Sequence, residues 1–304
     1  MSAPSVLYDH PGPKARLRNA IYTVIFAVAL VAVVWWVVAA LERNGQLEWA
    51  KWKPLFEGQN WTTYLLPGLW NTIKAAVISV VIALPIGAIL GVGRMSEHSW
   101  IRRPVGVVVE FFRSVPVIIL MVFAYQLWFF TFDYSSSLAA VVIGLVLYNG
   151  SVLAEVFRAG VRSLPKGQTE ASLAIGLRKT QMMLFVLLPQ ALTVMLPAIV
   201  SQLVVILKDT ALGGILVGYV ELRRAAGTSA SFYKNILPTY VLISVIYIVL
   251  NLALTTGAGM LEKRLRRTRG KAGVPLVVTA IAAESVVGEV AGPEADKAMT
   301  ENQQ

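Results

Sequence analysis

The sequence predicts an all-α integral membrane protein with about six transmembrane helices and cytoplasmic N- and C-termini. Three observations carry this. The 304 residues are 56% hydrophobic and only 14% charged, against about 45–50% and about 25% in soluble domains. Six apolar stretches reach the ~20 residues that a spanning helix needs. The lysines and arginines divide unevenly between the two sides that those stretches define.

The stretches are 20–41, 64–92, 105–131, 138–157, 183–207 and 236–258. The first is too long for the apolar core of a cleavable signal peptide. The second and third exceed a bilayer's thickness, which implies tilt or extension beyond it. Pro85, Gly87, Gly91, Pro116, Gly144 and Pro197 fall within spans. Such residues are tolerated where neighbouring helices satisfy the freed backbone groups, so these spans are expected to be kinked, packed and lining something.

With the N-terminus inside, the inner segments 1–19, 93–104, 158–182 and 259–304 carry 18 Lys and Arg. The outer segments 42–63, 132–137 and 208–235 carry 7. This excess marks the cytoplasmic side and accounts for the net charge of +10 without nucleic acid, for which no separate basic face exists. Trp35, Trp36, Trp49, Trp52 and Trp61 surround the first outer loop, as an interfacial belt does. The segment 208–235 reads as external or re-entrant. A basic run, EKRLRRTRGK, follows Met260 and suits an anionic inner leaflet. Beyond it, 272–304 turns acidic and rich in Ala, Gly and Val, and is expected to be disordered.

Chemistry-bearing motifs are scarce. Without cysteine there is no disulfide or thiolate site, and His10 and His98 are the only histidines, which argues against a bound metal. There is no G-x-x-x-x-G-K-[ST] loop to cradle nucleotide, no H-E-x-x-H and no nucleophile elbow, so a membrane enzyme has no support. No internal repeat is evident, which weakens an inverted-repeat carrier.

One inner segment, SLPKGQTEASLAIGLRKTQMMLFVLLPQ (163–190), stands out by being partly polar. Pro165 suits a helix start, Lys166 to Ile175 contains good helix formers, and Gly176 suits a left-handed cap. Leu173 and Leu177 give a small apolar face. Physics alone leaves two readings open: a helix lying on lipid, or one that docks a soluble partner.

The spacing of Glu170, Ala171, Ser172, Gly176, Val186, Leu188 and Pro189 resembles the EAA loop of ABC-importer permeases, with Ser for the second Ala and Val for Ile. The stretches 68–94, 111–121, 154–171, 188–212 and 220–226, with LPKGQ and LKDT the most distinctive strings, are similar to the polar amino-acid uptake branch of that family. The likeness covers about 64–260. It implies a five-helix type I importer core preceded by one additional span and external loop (20–63), as in glutamate-type permeases, and followed by a cytoplasmic tail (261–304). It also implies a multi-pass subunit of the cell membrane that binds no cofactor itself. Its partners would be a cytoplasmic ABC ATPase dimer docking on Glu170, Ala171 and Ser172, a second permease (a shorter homologue or a second copy) and an extracytoplasmic binding protein. The cargo would be a polar amino acid, glutamate first, with basic amino acids or glutamine as alternatives. An ATP-independent carrier would explain the spans but not the loop.

Ionisable groups at membrane depth ordinarily face a cavity or a partner. An amino acid presents a carboxylate and an ammonium, which call for a cation and an acceptor. Arg113 with Ser114, and Glu155 with Asn149 and Ser151, are therefore candidates to line the pathway, with Lys208, Asp209 and Thr210 near its outer mouth. The competing reading pairs the charges within helices, Glu110 with Arg113 and Glu155 with Arg158, each three residues apart.

Overall fold

The computed structural model describes residues 12–270, with side chains up to Met260. The start of the N-terminal tail, the side chains of the basic run and the segment 272–304 lie outside the described residues. Among the described residues every regular element is helical. In order these are α1 Pro13–Arg43, α2 Trp49–Trp52, a 3-10 turn Lys53–Phe56, α3 Gly58–Asn60, a π-turn Trp61–Leu65, α4 Leu66–Arg94, α5 Ser99–Ser114, α6 Val117–Phe132, α7 Ser137–Arg162, α8 Lys166–Ala174, α9 Lys179–Gln181, a second π-turn Met182–Leu187, α10 Leu188–Leu216, α11 Leu222–Tyr233 and α12 Ile236–Gly270.

Among the described residues five continuous stretches are long and apolar enough to cross a bilayer: Pro13–Arg43, Gly58–Arg94, Ser137–Arg162, Lys179–Leu216 and Ile236–Met260. The expected third span, 105–131, is not one over-long helix. It is α5 and α6, bent by 103° at the break between them. Val115 there is extended (φ −85°, ψ 128°), because a residue before proline is pushed out of the helical region. The fifth span also runs further than its apolar composition indicated, to Leu216, so 208–216 is the end of α10 rather than loop.

The two π-turns share a cause. Each ends two residues before a proline, Pro67 or Pro189. A proline ring clashes with the carbonyl four residues back in a regular α-turn, and the wider turn relieves that crowding. The Leu-Pro of the loop motif thus sets how the chain enters α10.

The described residues divide into two compact units, one formed by those up to Lys74 with Gly218–Tyr247, the other by Ala75–Val217 with those from Ile248. In the first, Leu65, Leu222, Ala226 and Ile243 form the core. Glu221 is fully buried and caps α11 by accepting from the backbone N–H groups of Arg223 (2.5 Å) and Arg224 (2.9 Å). Burial pushes its carboxyl above the usual range, against the pull of those N–H groups. Thr72 accepts from the Leu222 N–H at 3.0 Å, and Ser229 donates to Asn60 at 2.7 Å. By contrast, α1 buries no residue.

In the second unit α7 is the central helix. Fourteen of its residues are buried, and its neighbours include α5, α6 and α10. Its N-terminus is capped by the Ser136 hydroxyl, which accepts from the Ala139 N–H. Small residues let helices approach closely in lipid. At Gly144 an added Cβ would lie 2.6 Å from Met121 Cγ and 2.9 Å from the Met121 backbone N. Since backbone cannot yield cheaply, Gly144→Val is expected to cost at least ~1–3 kcal/mol and to lower the yield of monodisperse protein in detergent. Gly257→Ala, with nothing within 4 Å of the new methyl, serves as the control that keeps its yield.

Candidate functional site

The polar segment folds as its composition predicts. Pro165 precedes α8, and Gly176 closes it with φ +80°. Glu170 and Ala171 are exposed. Ser172 is not. It is 4% exposed, and its hydroxyl donates to the Gln168 carbonyl one turn back at 2.6 Å. The surface expected of Glu170, Ala171 and Ser172 together is therefore presented by Glu170 and Ala171 alone. Ser172 replaces alanine at an inward position without needing an outside partner, because its hydroxyl is satisfied within its own helix. Leu177 packs on the core formed by Leu153, Phe157, Met182, Leu187 and their neighbours. Leu173 (45%) and Ile175 (77%) stay exposed, so the apolar face is split rather than continuous. Leu188 and Pro189 are half-buried at the head of α10.

The break between α5 and α6 opens a recess of about 500 Å³, walled by α5, α6, α7 and α10. Arg113, Ser114, Tyr148 and Asp209 line it. Of the expected pathway residues, Arg113, Ser114 and Asp209 come together here. Lys208 is exposed but does not line the recess. Asn149, Ser151 and Thr210 are buried in the helix bundle instead. Ser151 and Thr210 return their hydroxyls to the carbonyls of Leu147 and Leu207. Asn149 donates to Leu145 and accepts from Gln202 of α10. A buried amide satisfied on both sides fixes helix packing and leaves no polar edge for cargo. Gln202 has one signal in the sequence, an amide within the apolar span 183–207, and Gln190 shares it.

The charged groups form one cluster. Glu155 takes Arg158 on one oxygen, with Nε at 2.9 Å and Nη2 at 2.6 Å. Arg94 lies 2.7 Å from its other oxygen, off the hydrogen-bond direction, and bonds Glu110 at 3.0 Å. Arg113 sits 4.0 Å from both Glu110 and Glu155. Both i,i+3 pairings read from the sequence are present, Glu155–Arg158 tight at 2.6 Å and Glu110–Arg113 loose at 4.0 Å, and the contacts that join the helices run through Arg94, which the sequence marks only as an orientation charge. Arg113 is the least restrained arginine of the cluster.

Residues 83–267 match the binding-protein-dependent transport system inner membrane component family. The glutamate transport system permease protein GluD of Corynebacterium glutamicum is 49% identical over 234 residues, which cover 76% of this chain and 85% of that protein. The arginine transport system permease protein ArtQ of Bacillus subtilis is 32% identical over 67% of this chain and 93% of its own. The crystal structure of an amino acid ABC transporter with histidines aligns with a TM-score of 0.62 and 26% identity, over 67% of this chain and 95% of that one. The chain therefore belongs to the family of inner membrane components of binding-protein-dependent transport systems. It is a multi-pass permease subunit of an ABC importer, a transport component of the membrane.

Proposed function

We propose that this permease carries a polar amino acid, glutamate first, into the cell, with both termini cytoplasmic. The 49% identity with a glutamate permease over most of both chains carries this reading. The recess supports it. Arg113 offers a guanidinium suited to a carboxylate, and Asp209 lies in the same lining, suited to an ammonium. ATP is hydrolysed by a separate ATPase dimer that grips α8 through Glu170 and Ala171. A second permease completes the pathway, an external binding protein delivers the cargo, and the chain itself binds no cofactor. Nucleotide on one side and loaded binding protein on the other then bias one packing equilibrium. The arginine permease at 32% identity favours a basic amino acid as the competing cargo.

Competition for labelled glutamate uptake by glutamate, glutamine and arginine in cells with the complete transporter separates these readings. Unlabelled glutamate should compete best; stronger competition by arginine overturns the assignment. Arg113→Ala is expected to reduce uptake by roughly 10- to 150-fold, the ~1.5–3 kcal/mol of a charge-assisted hydrogen bond, whereas Arg43→Ala has no effect. Equal effects of the two remove Arg113 from the pathway.

A further inference from the structure

A slot of about 550 Å³ lies between the end of α4, the α4–α5 loop and the start of the second π-turn. That size falls within the ~300–1,000 Å³ of small-molecule sites. Its wall is apolar, with Ile89, Val92, Met183 and Leu184, and its rim is polar, with Glu97, His98 and Lys179. α4 ends at Arg94 and the span Lys179–Leu216 begins at Lys179. The rim thus sits where two spans meet the membrane boundary, and the wall continues into the apolar layer. With Arg94 committed to Glu110 and Glu155, Arg102, Arg103, Arg178 and Lys179 still outnumber Glu97 along these segments, and Arg102 is held against the loop by the Ser96 carbonyl.

We infer that this slot binds an anionic phospholipid, with its acyl chain along the apolar wall and its phosphate on the Lys179 ammonium. Glu97 holds that ammonium when no lipid is bound. The Lys179 ammonium keeps the Glu97 carboxyl below its usual range, so the pair is ionised at neutral pH. Both side chains are about 60% exposed, and an exposed pair contributes little to stability. A phosphate can displace Glu97 at little cost. Lys179 follows Gly176 by three residues, so an occupied slot ties the α4–α5 loop to the exit of α8 and makes coupling sensitive to anionic lipid. The inference does not depend on which solute is carried.

The test uses the complete transporter in phosphatidylcholine nanodiscs containing photoactivatable phosphatidylglycerol, with labelled peptides mapped by mass spectrometry. Label is expected to concentrate in 89–101 and 179–184, to be displaced by unlabelled phosphatidylglycerol, and to resist phosphatidylcholine and inorganic phosphate. Lys179→Gln should lower it and Glu97→Gln should raise it, each about two- to five-fold, the scale of an exposed ion pair. Leu184→Trp, at a half-exposed position, should block the slot without touching the core. Label spread evenly over the lipid-facing helices overturns the site. So does displacement by inorganic phosphate, or a fall of equal size in K179Q and E97Q, which marks the pair as merely structural.

Discussion

Glu170→Lys should abolish ATP-driven uptake while the chain still inserts in the membrane at the wild-type level. Glu170 is exposed on α8, away from the core on which Leu177 packs, so the substitution acts on the partner surface. A buried interface anchor is worth at least ~2 kcal/mol, roughly 30-fold in affinity, and reversing the charge adds repulsion. Gly176 acts differently. Nothing lies within 4 Å of a Cβ added there, yet its φ is +80°, where an L-residue pays about 1–2 kcal/mol. Asn tolerates that region best and a β-branched residue worst. The loss of coupling is therefore expected to grow from Gly176→Asn through Gly176→Ala to Gly176→Val. Gly167→Ala, at an ordinary helical position with open space, leaves coupling intact. ATPase activity and uptake measured together in reconstituted vesicles decide the matter. Normal ATP-driven uptake by Glu170→Lys, or Gly176→Val coupling as well as Gly176→Asn, would refute the docking role of α8.

Much of this was legible in the chain because two of its signals are local. Span length is a property of composition, and all six apolar stretches coincide with helices or a helix pair. The helix that precedes Gly176 was readable because caps and starts are set by adjacent residues. What escaped was geometry that composition does not encode. The run through 105–131 carries only Glu110 and Arg113 as charges, both ahead of Val115 and Pro116, so hydropathy averaged over it reads through a 103° bend. The dipeptide was the available cue, since the residue before proline leaves the helical region. Conversely, Asn149 and Ser151 looked like pathway groups because polar residues at membrane depth are costly. The cost is met inside the bundle, by Gln202 and by carbonyls of their own helix. Glu155 with Arg158 followed from helical spacing, whereas no spacing rule links Arg94 of α4 to Glu155 of α7. That pairing arises from two helices meeting, which the sequence alone leaves open.

Glu155→Ala should be the most destabilising change in the charged cluster. Its side chain is 16% exposed and faces Arg94 and Arg158 within 2.7 Å, so alanine leaves two guanidinium groups against a shortened, largely dry surface. Removing one partner of a buried pair costs about 3–5 kcal/mol, and the residual exposure places this case near ~3 kcal/mol. The corresponding fall in apparent Tm is roughly 6–12 °C, measurable by heating detergent-solubilised protein before size-exclusion chromatography. Glu155→Gln keeps an acceptor for Arg158 and should lose less. Arg94→Met combined with Glu155→Ala should recover part of the loss, because one uncompensated cation goes with its neighbour. If Glu155→Ala melts with the wild type, the cluster is not what holds α4 and α5 against α7. The same geometry separates stability from transport: Arg113, 4.0 Å from both carboxylates, contributes little to the cluster and can turn to cargo. Arg113→Ala should therefore impair uptake with little change in Tm, whereas Glu155→Ala should impair both.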